Sequence, residues 1–409
     1  KNLVENYDVL TKARESFDEK VKELEIAYNT TGIYLDKQAE KYAPTVNSIG
    51  GDWLVIGLAR SGVGVPDGYY ENVLDYVTEE INDKEQLHTD KSTDNSRVIL
   101  ALTAAGYDVT NVVGHNLLQG LTDMDDVKYQ GINGPIWALI AMNSYNYTIP
   151  NTDASVKNPV TEEGLVKYIL SQQTENGSWV LSPKLSNYDT DMTAMAIQAL
   201  SPYYGKDEKV TAAVDKALTV LSNTQLKDGG FASYGTITSE SISQVVVALT
   251  ALGIDPLTDE RFIKEGNSVL DALCTYYVEG GGFEHINTEN KLDGMATEQS
   301  YYALTSYFRM ENDQTSLYDM KDVTMKDMAD VVEEMIKEIG TVTADSEKAI
   351  VYARATFNGL SAENQKAVAN YSVLQAAETT YAAIKEKIKN VKELINEIGT
   401  VKYDKATKV

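Results

Sequence analysis

A short, nearly all-apolar segment with a polar start recurs six times between residues 32 and 322. The copies cover 52–59, 94–102, 133–141, 191–200, 241–249 and 296–304. A helix with a wet face carries polar residues along it, so segments this apolar on every side predict buried helices. Stretches such as 70–77 and 210–218 lie between them and are amphipathic. They suit an outer layer with one solvated face. Buried and half-buried helices alternating about six times predict an all-α fold, an (α/α)6 toroid of inner helices inside an outer ring.

Two connections carry a sharper signal. Gln173, Gly177 and Trp179 follow one amphipathic stretch, and Gln225, Gly229 and Phe231 follow another with the same spacing. A third copy, Tyr277 with Gly281, Gly282 and Phe283, lacks the Gln, and the first half has no clean copy. The Gln can cap a helix end, the Gly permits a tight turn and the aromatic wedges between neighbouring helix pairs. These segments resemble the QW repeats of the prenyltransferase and squalene-cyclase superfamily, over roughly 290 residues. The motif is structural, so the resemblance implies the toroid and leaves the activity open.

The chemistries found in that superfamily can be tested on the residues present. Triterpene cyclases use the middle carboxyl of Asp-x-Asp-Asp-Thr-Ala. Here Asp189 and Asp191 match two acids, and Met192 replaces the third. Either aspartate also suits the cap of an inner helix. The zinc of prenyltransferase β-subunits needs Asp, Cys and His. Asp271, Cys274 and His285 are the nearby trio, at a different spacing, and Cys274 reads as a buried inert thiol. Thioester domains need Cys-Gly-Glu-Gln, where this chain has Ala296-Thr297-Glu298-Gln299. Cobalamin carriers close a toroid against a β-rich domain, and three-helix segments stand in that place here. The acidic run Asp123, Asp125 and Asp126 lacks EF-hand spacing and reads as a solvated loop. No cofactor and no metal is expected.

Asp191, Glu240 and Glu298 all start inner helices and are expected to gather at one mouth of the ring. Trp53, Trp137 and Tyr188 are aromatics placed to stack on sugars near the same end. With Asp189 and Gln299 they form the candidate binding set. Asp191, Glu240 and Glu298 are the acids that a glycan-cleaving or isoprenoid-converting enzyme would use.

The two ends of the chain share a repeat. Val332-Glu333-Glu334-Met335-Ile336 and Ile339-Gly340-Thr341-Val342 match Val391-Lys392-Glu393-Leu394-Ile395 and Ile398-Gly399-Thr400-Val401 at an offset of 59 residues. Asn370-Tyr371-Ser372-Val373-Leu374 matches Asn6-Tyr7-Asp8-Val9-Leu10. One unit is whole, and both ends are expected to lie inside a longer array. Breaks at 340–344 and 358–361 divide the unit into three helices, with Asp345 or Ser346 and then Ser361 as caps. The stretch 361–398 has no Gly or Pro, so a third helix is expected to run into the next unit's first. This unit resembles three-helix modules of Gram-positive bacterial surface proteins, which implies an extracellular, cell-surface location.

The expected domains are therefore 1–31, the last helix of a preceding module; 32–322, the toroid; 323–388, a three-helix module; and 389–409, the start of the next. Asp plus Glu number 61 against 36 Lys plus Arg, a formal net charge of -25. That balance argues against nucleic-acid or anionic-membrane binding. No stretch is apolar enough for a transmembrane segment. One cysteine excludes an intrachain disulfide. The expected function is non-enzymatic cell-surface binding or adhesion, to a host extracellular protein such as an immunoglobulin or to a glycan. The alternatives are a toroid enzyme acting on a glycan or isoprenoid, and a structural spacer.

Overall fold

The computed structural model describes residues 7–150, 154–182, 188–288 and 291–398. It forms two compact units. One holds the chain through Val109 and Asn116–Met325; the other holds Thr110–His115 and the residues from Lys326 on.

In the first unit, α1 (Tyr7–Lys41) precedes α2 (Asp52–Ser61), α3 (Tyr69–Glu80), α4 (Ser92–Ala104) and the single turn α5 (Met124–Val127). Then come α6 (Asn133–Ser144), α7 (Glu162–Ser171), α8 (Thr190–Leu200), α9 (Glu208–Thr224), α10 (Ser239–Ala251), α11 (Val269–Cys274) and α12 (Gly294–Glu311). The even-numbered helices α2 to α12 form the inner ring: α2 packs on α4, α4 on α6, α6 on α8, α8 on α10, α10 on α12, and α12 back on α2. That closure makes the toroid. All six apolar segments fall on these helices. Their near-complete burial, with Val55, Ile99, Leu139, Ile197, Val246 and Leu304 fully enclosed, removes apolar surface from water. Among the described residues the strands form two two-stranded hairpins, β1 (Ala232–Ser233) with β2 (Thr236–Ile237) and β3 (Phe283–Glu284) with β4 (Leu292–Asp293).

Helix α1 runs unbroken through Gly32, on either side of the expected boundary at 31. Leu24, Ala27, Thr31, Leu35 and Ala39 bury one face of it, and it packs on α11, α12 and α2 as an outer helix of the ring. The physical role of Gly32 is close approach rather than termination. A Cβ there would lie 2.6 Å from the Tyr301 hydroxyl, and one at Gly57 would lie 2.9 Å from the same ring. Tyr28 stacks on Tyr301 and Phe308, while Tyr7, Leu10 and Phe17 stand exposed.

The second unit contains α13 (Met328–Glu338), α14 (Glu347–Gly359), α15 (Ala362–Ala367) and α16 (Tyr371–Ile398). The single helix expected over 361–398 is interrupted at 368–370. There the Ala369 N–H donates to the Glu333 carboxylate and the Asn370 amide donates to the Glu333 carbonyl. These bonds to α13 take the place of helix continuation over three residues, less than one turn. Ser361 caps α15 as expected, by accepting from the Asn364 N–H. Beyond the break, α16 does run straight through position 388. The matching residues 399–409 lie outside the described ones.

Candidate functional site

The N-terminal turns of all six inner helices surround one cavity of about 570 Å³. Five of the six helices present residues one turn apart, the spacing that shares a face. Thr93 and Arg97 come from α4, Asn133 and Trp137 from α6, Asp191 and Met195 from α8, and Glu240 and Gln244 from α10. Met295, Gln299 and Tyr302 come from α12, and Trp53 from α2. The two hairpins complete the rim with Ser233, Tyr234, Thr236 and His285.

Aromatic rings make one wall. Trp53 and Trp137 lie 5.0 Å apart, centroid to centroid, tilted by 50°, and Tyr302 sits 5.8 Å from Trp53. The floor is a hydrogen-bonded chain. Gln198 Nε2 donates to the Gln244 side-chain oxygen, and Gln244 Nε2 donates to Gln299 Oε1 at 3.1 Å and to Tyr302 Oη at 2.6 Å. Both acceptors are thereby fixed, and the Gln299 amide nitrogen remains as a donor.

Five of the expected site residues line this cavity: Trp53, Trp137, Asp191, Glu240 and Gln299. The other three do not. Asp189 is the N-cap of α8, accepting from the Met192 N–H, and it also accepts from the Tyr234 hydroxyl at 2.8 Å. It positions the hairpin rather than facing ligand. Tyr188 is half-buried and accepts from the Thr190 and Thr224 hydroxyls. Glu298 is buried one residue of helical rotation away from the mouth. Its Oε1 accepts from the Gly50 N–H at 2.5 Å. Burial, with the nearby Asp52 charge adding to it, pushes its carboxyl up to about 8 against the pull of the Gly50 bond and Arg97.

The charged groups that reach the cavity are mostly compensated inside the protein. Arg97 Nε lies 3.0 Å from the fully buried Asp52, which also accepts from Tyr69 and the Asn47 N–H. His285 Nδ1 lies 2.9 Å from both oxygens of Glu240. Among the described residues Asp191 has no ion-pair partner, and its Oδ1 is buried without a hydrogen bond. Burial raises its carboxyl to about 6; Ser241 and Ser233 hydrogen bonds oppose that, while Asp189 and Glu240 reinforce it.

Asp271, Cys274 and His285, the trio set aside in the sequence as a zinc site, are engaged separately. Asp271 closes a capping box with Ser268 and pairs with Lys20, His285 pairs with Glu240, and Cys274, expected to be buried, is half-buried, with its thiol pushed up by desolvation to about 12. Among the described residues no three His, Cys, Asp or Glu side chains converge as metal ligands. Asp123 caps α5, Asp125 pairs with Lys128 and Asp126 with Lys84, as suits a solvated acidic loop.

Sequence reasoning missed Arg97, Met195, Tyr234, Gln244, His285 and Tyr302. Most were signalled by the four-residue spacing from each helix start. Tyr234 was signalled by Tyr234-Gly235, both at positive φ in the two-residue turn that joins β1 to β2.

Fold and site define an all-α toroid whose mouth carries an aromatic-walled, hydrogen-bonding cavity. No family model matches the chain, and no curated protein matches it. Among solved structures it is similar to Candida albicans protein geranylgeranyltransferase-I complexed with GGPP, at 12% identity and a TM-score of 0.47, over 73% of this chain and 99% of that one. That likeness assigns no residue role and no substrate. Among the described residues no helix is long and apolar enough to cross a membrane.

Proposed function

We propose that the protein is a non-enzymatic binding protein of a bacterial cell surface, whose toroid mouth holds a neutral glycan of a host glycoprotein. One observation carries this reading. The cavity joins aromatic faces, Trp53 and Trp137, to uncharged hydrogen-bonding side chains, while its charges are largely compensated internally. Polyhydroxylated ligands need flat apolar faces for their C–H surfaces and fixed donors and acceptors for their hydroxyls. The volume lies within the range of small-ligand sites. The net charge of -25 disfavours sialylated and other anionic glycans.

The surface location rests on the 59-residue repeat and its resemblance to surface-protein modules. A catalytic pair is disfavoured by the commitments of the acids: Glu240 is held by His285, Glu298 faces Gly50, and Asp189 caps α8. A second reading, glycan cleavage, has one observation in its favour. The Asp191 carboxyl, raised to about 6, holds its proton in mildly acidic solution as a general acid must.

The test captures host secreted glycoproteins, mucins and immunoglobulin included, on the immobilised chain before and after enzymatic deglycosylation. Capture that is lost on deglycosylation supports the reading. Capture that survives it places recognition on protein surface instead. Shortened glycan products that disappear in Asp191→Asn establish the enzyme.

A further inference from the structure

The second half of α16 carries an apolar stripe that stands exposed among the described residues. Val391, Leu394, Ile395 and Ile398 are 54%, 61%, 59% and 63% exposed. The same stripe occurs 59 residues earlier on α13, where its counterparts Val332, Met335, Ile336 and Ile339 are 0%, 9%, 1% and 7% exposed. One step further back, Ile388 is exposed where Ala329 is buried. Five positions in register, buried in one copy and open in the other, mark this stripe as the unfilled half of an interface. What covers it in the filled copy is visible. Helix α13 packs on α14 and on the first half of α16, whose buried faces are Ile350, Ala353 and Phe357, and Leu374 and Ala377.

We infer that residues 388–398 form a docking surface for an amphipathic helix pair of the α14–α16 type, supplied as a further copy of that pair. A folded second copy of this chain does not meet the need, because its own α13 already fills the face that would dock. One bond of the α13 interface has no counterpart on α16. Glu333, whose carboxylate accepts from the Ala369 N–H, is replaced at the matching position by Lys392, which has no acceptor to offer. The docked pair is therefore held by apolar contact and by the backbone carbonyl, and less tightly than the pair on α13.

The offset gives the experiment its register, since residue 409 corresponds to residue 350. Residues 351–388 are appended after Val409 of the full chain, and amide hydrogen exchange is followed across 388–398. The inference expects exchange there to slow by about tenfold or more relative to the parent chain. A Gly-Ser extension of equal length should leave it unchanged. Leu394→Asp with Ile395→Asp in the extended chain should restore the parent rates while α13 stays protected. Unchanged exchange in the extended chain overturns the inference. Exchange in the parent chain that slows with rising protein concentration also overturns it, by showing that a second copy covers the stripe.

Discussion

Glu298 shows how one residue of helical rotation decides a role. Helix starts were expected to put it at the mouth with Asp191 and Glu240. Met295, Gln299 and Tyr302 occupy that face of α12 instead, and Glu298 is turned onto the backbone at Gly50. No sequence pattern distinguishes Glu298 from Gln299 here, because α12 is apolar or buried on most sides and ring closure alone fixes its rotation. The consequence is a pH dependence. Unfolded glutamate titrates near about 4.3, and burial moves this one to about 8. The folded chain thus holds the proton more tightly than the unfolded chain. The stabilisation is fully present at acidic pH and is lost as pH rises from about 5 through 8. Glu298→Gln keeps the acceptor for Gly50 and removes the titration. Its unfolding midpoint at pH 8.5 should exceed that of the parent, by on the order of 1–4 kcal/mol in stability. The two should converge near pH 4.5. Parallel stability profiles for the two proteins from pH 4.5 to 8.5 would show that Glu298 is not the group responsible.

At the scale of elements, the tight turns after outer helices explain which sequence signals were legible. In the copy that starts at Gln173, the Thr174 N–H bonds the Ser178 carbonyl, the Gly177 N–H bonds the Thr174 carbonyl, and Trp179 is buried. The same two bonds close Leu226–Gly230 and Val278–Gly282, each followed by a buried Phe. They also close a fourth turn at Asn82–Gln86, in the half of the chain where no motif was readable. There Ile81, Glu85 and Leu87 stand where Gln, Gly and an aromatic stand elsewhere. Glu85 takes the positive φ of 61° that glycine adopts in the other copies, and the Asn82 side chain supplies caps of its own. The geometry is kept with different residues, so spacing alone could not reveal it.

The glutamines also do more than cap. Gln225 Nε2 donates to the Gly229 carbonyl at 3.0 Å and to the Phe262 carbonyl at 2.8 Å, tying its turn to the next outer segment. Gln173 bridges Gly177 and Ala213 in the same way but is less buried. Removing a buried donor strands carbonyls away from water, at about 1–3 kcal/mol. Gln225→Ala should therefore destabilise the chain by about that amount in urea unfolding, and Gln173→Ala by less. Equal losses would contradict the burial argument.

At the scale of the whole molecule, most of the architecture was legible because it rests on periodicity. Six apolar segments became six inner helices, and the 59-residue repeat became the helices of the second unit. Less legible were the features set by long-range contacts. The break at 368–370 depends on Glu333, and the passage of α1 through Gly32 depends on Tyr301. The hairpins that roof the mouth bring Tyr234 and His285 onto acids 45 residues away in sequence. Such pairings exist only once the ring has closed.

The central claim is that the mouth cavity binds a neutral glycan without cleaving it. The chain offers its own probe, because it has three tryptophans: Trp53 and Trp137 line the cavity, and Trp179 is fully buried elsewhere. The direct measurement is a tryptophan fluorescence titration of the intact chain with neutral oligosaccharides, with mass analysis of the recovered sugar. The account predicts a saturable change, weakened about tenfold or more in Trp53→Ala, with the sugar recovered intact. A titration that is flat for every neutral glycan, or sugar recovered in pieces, would contradict it.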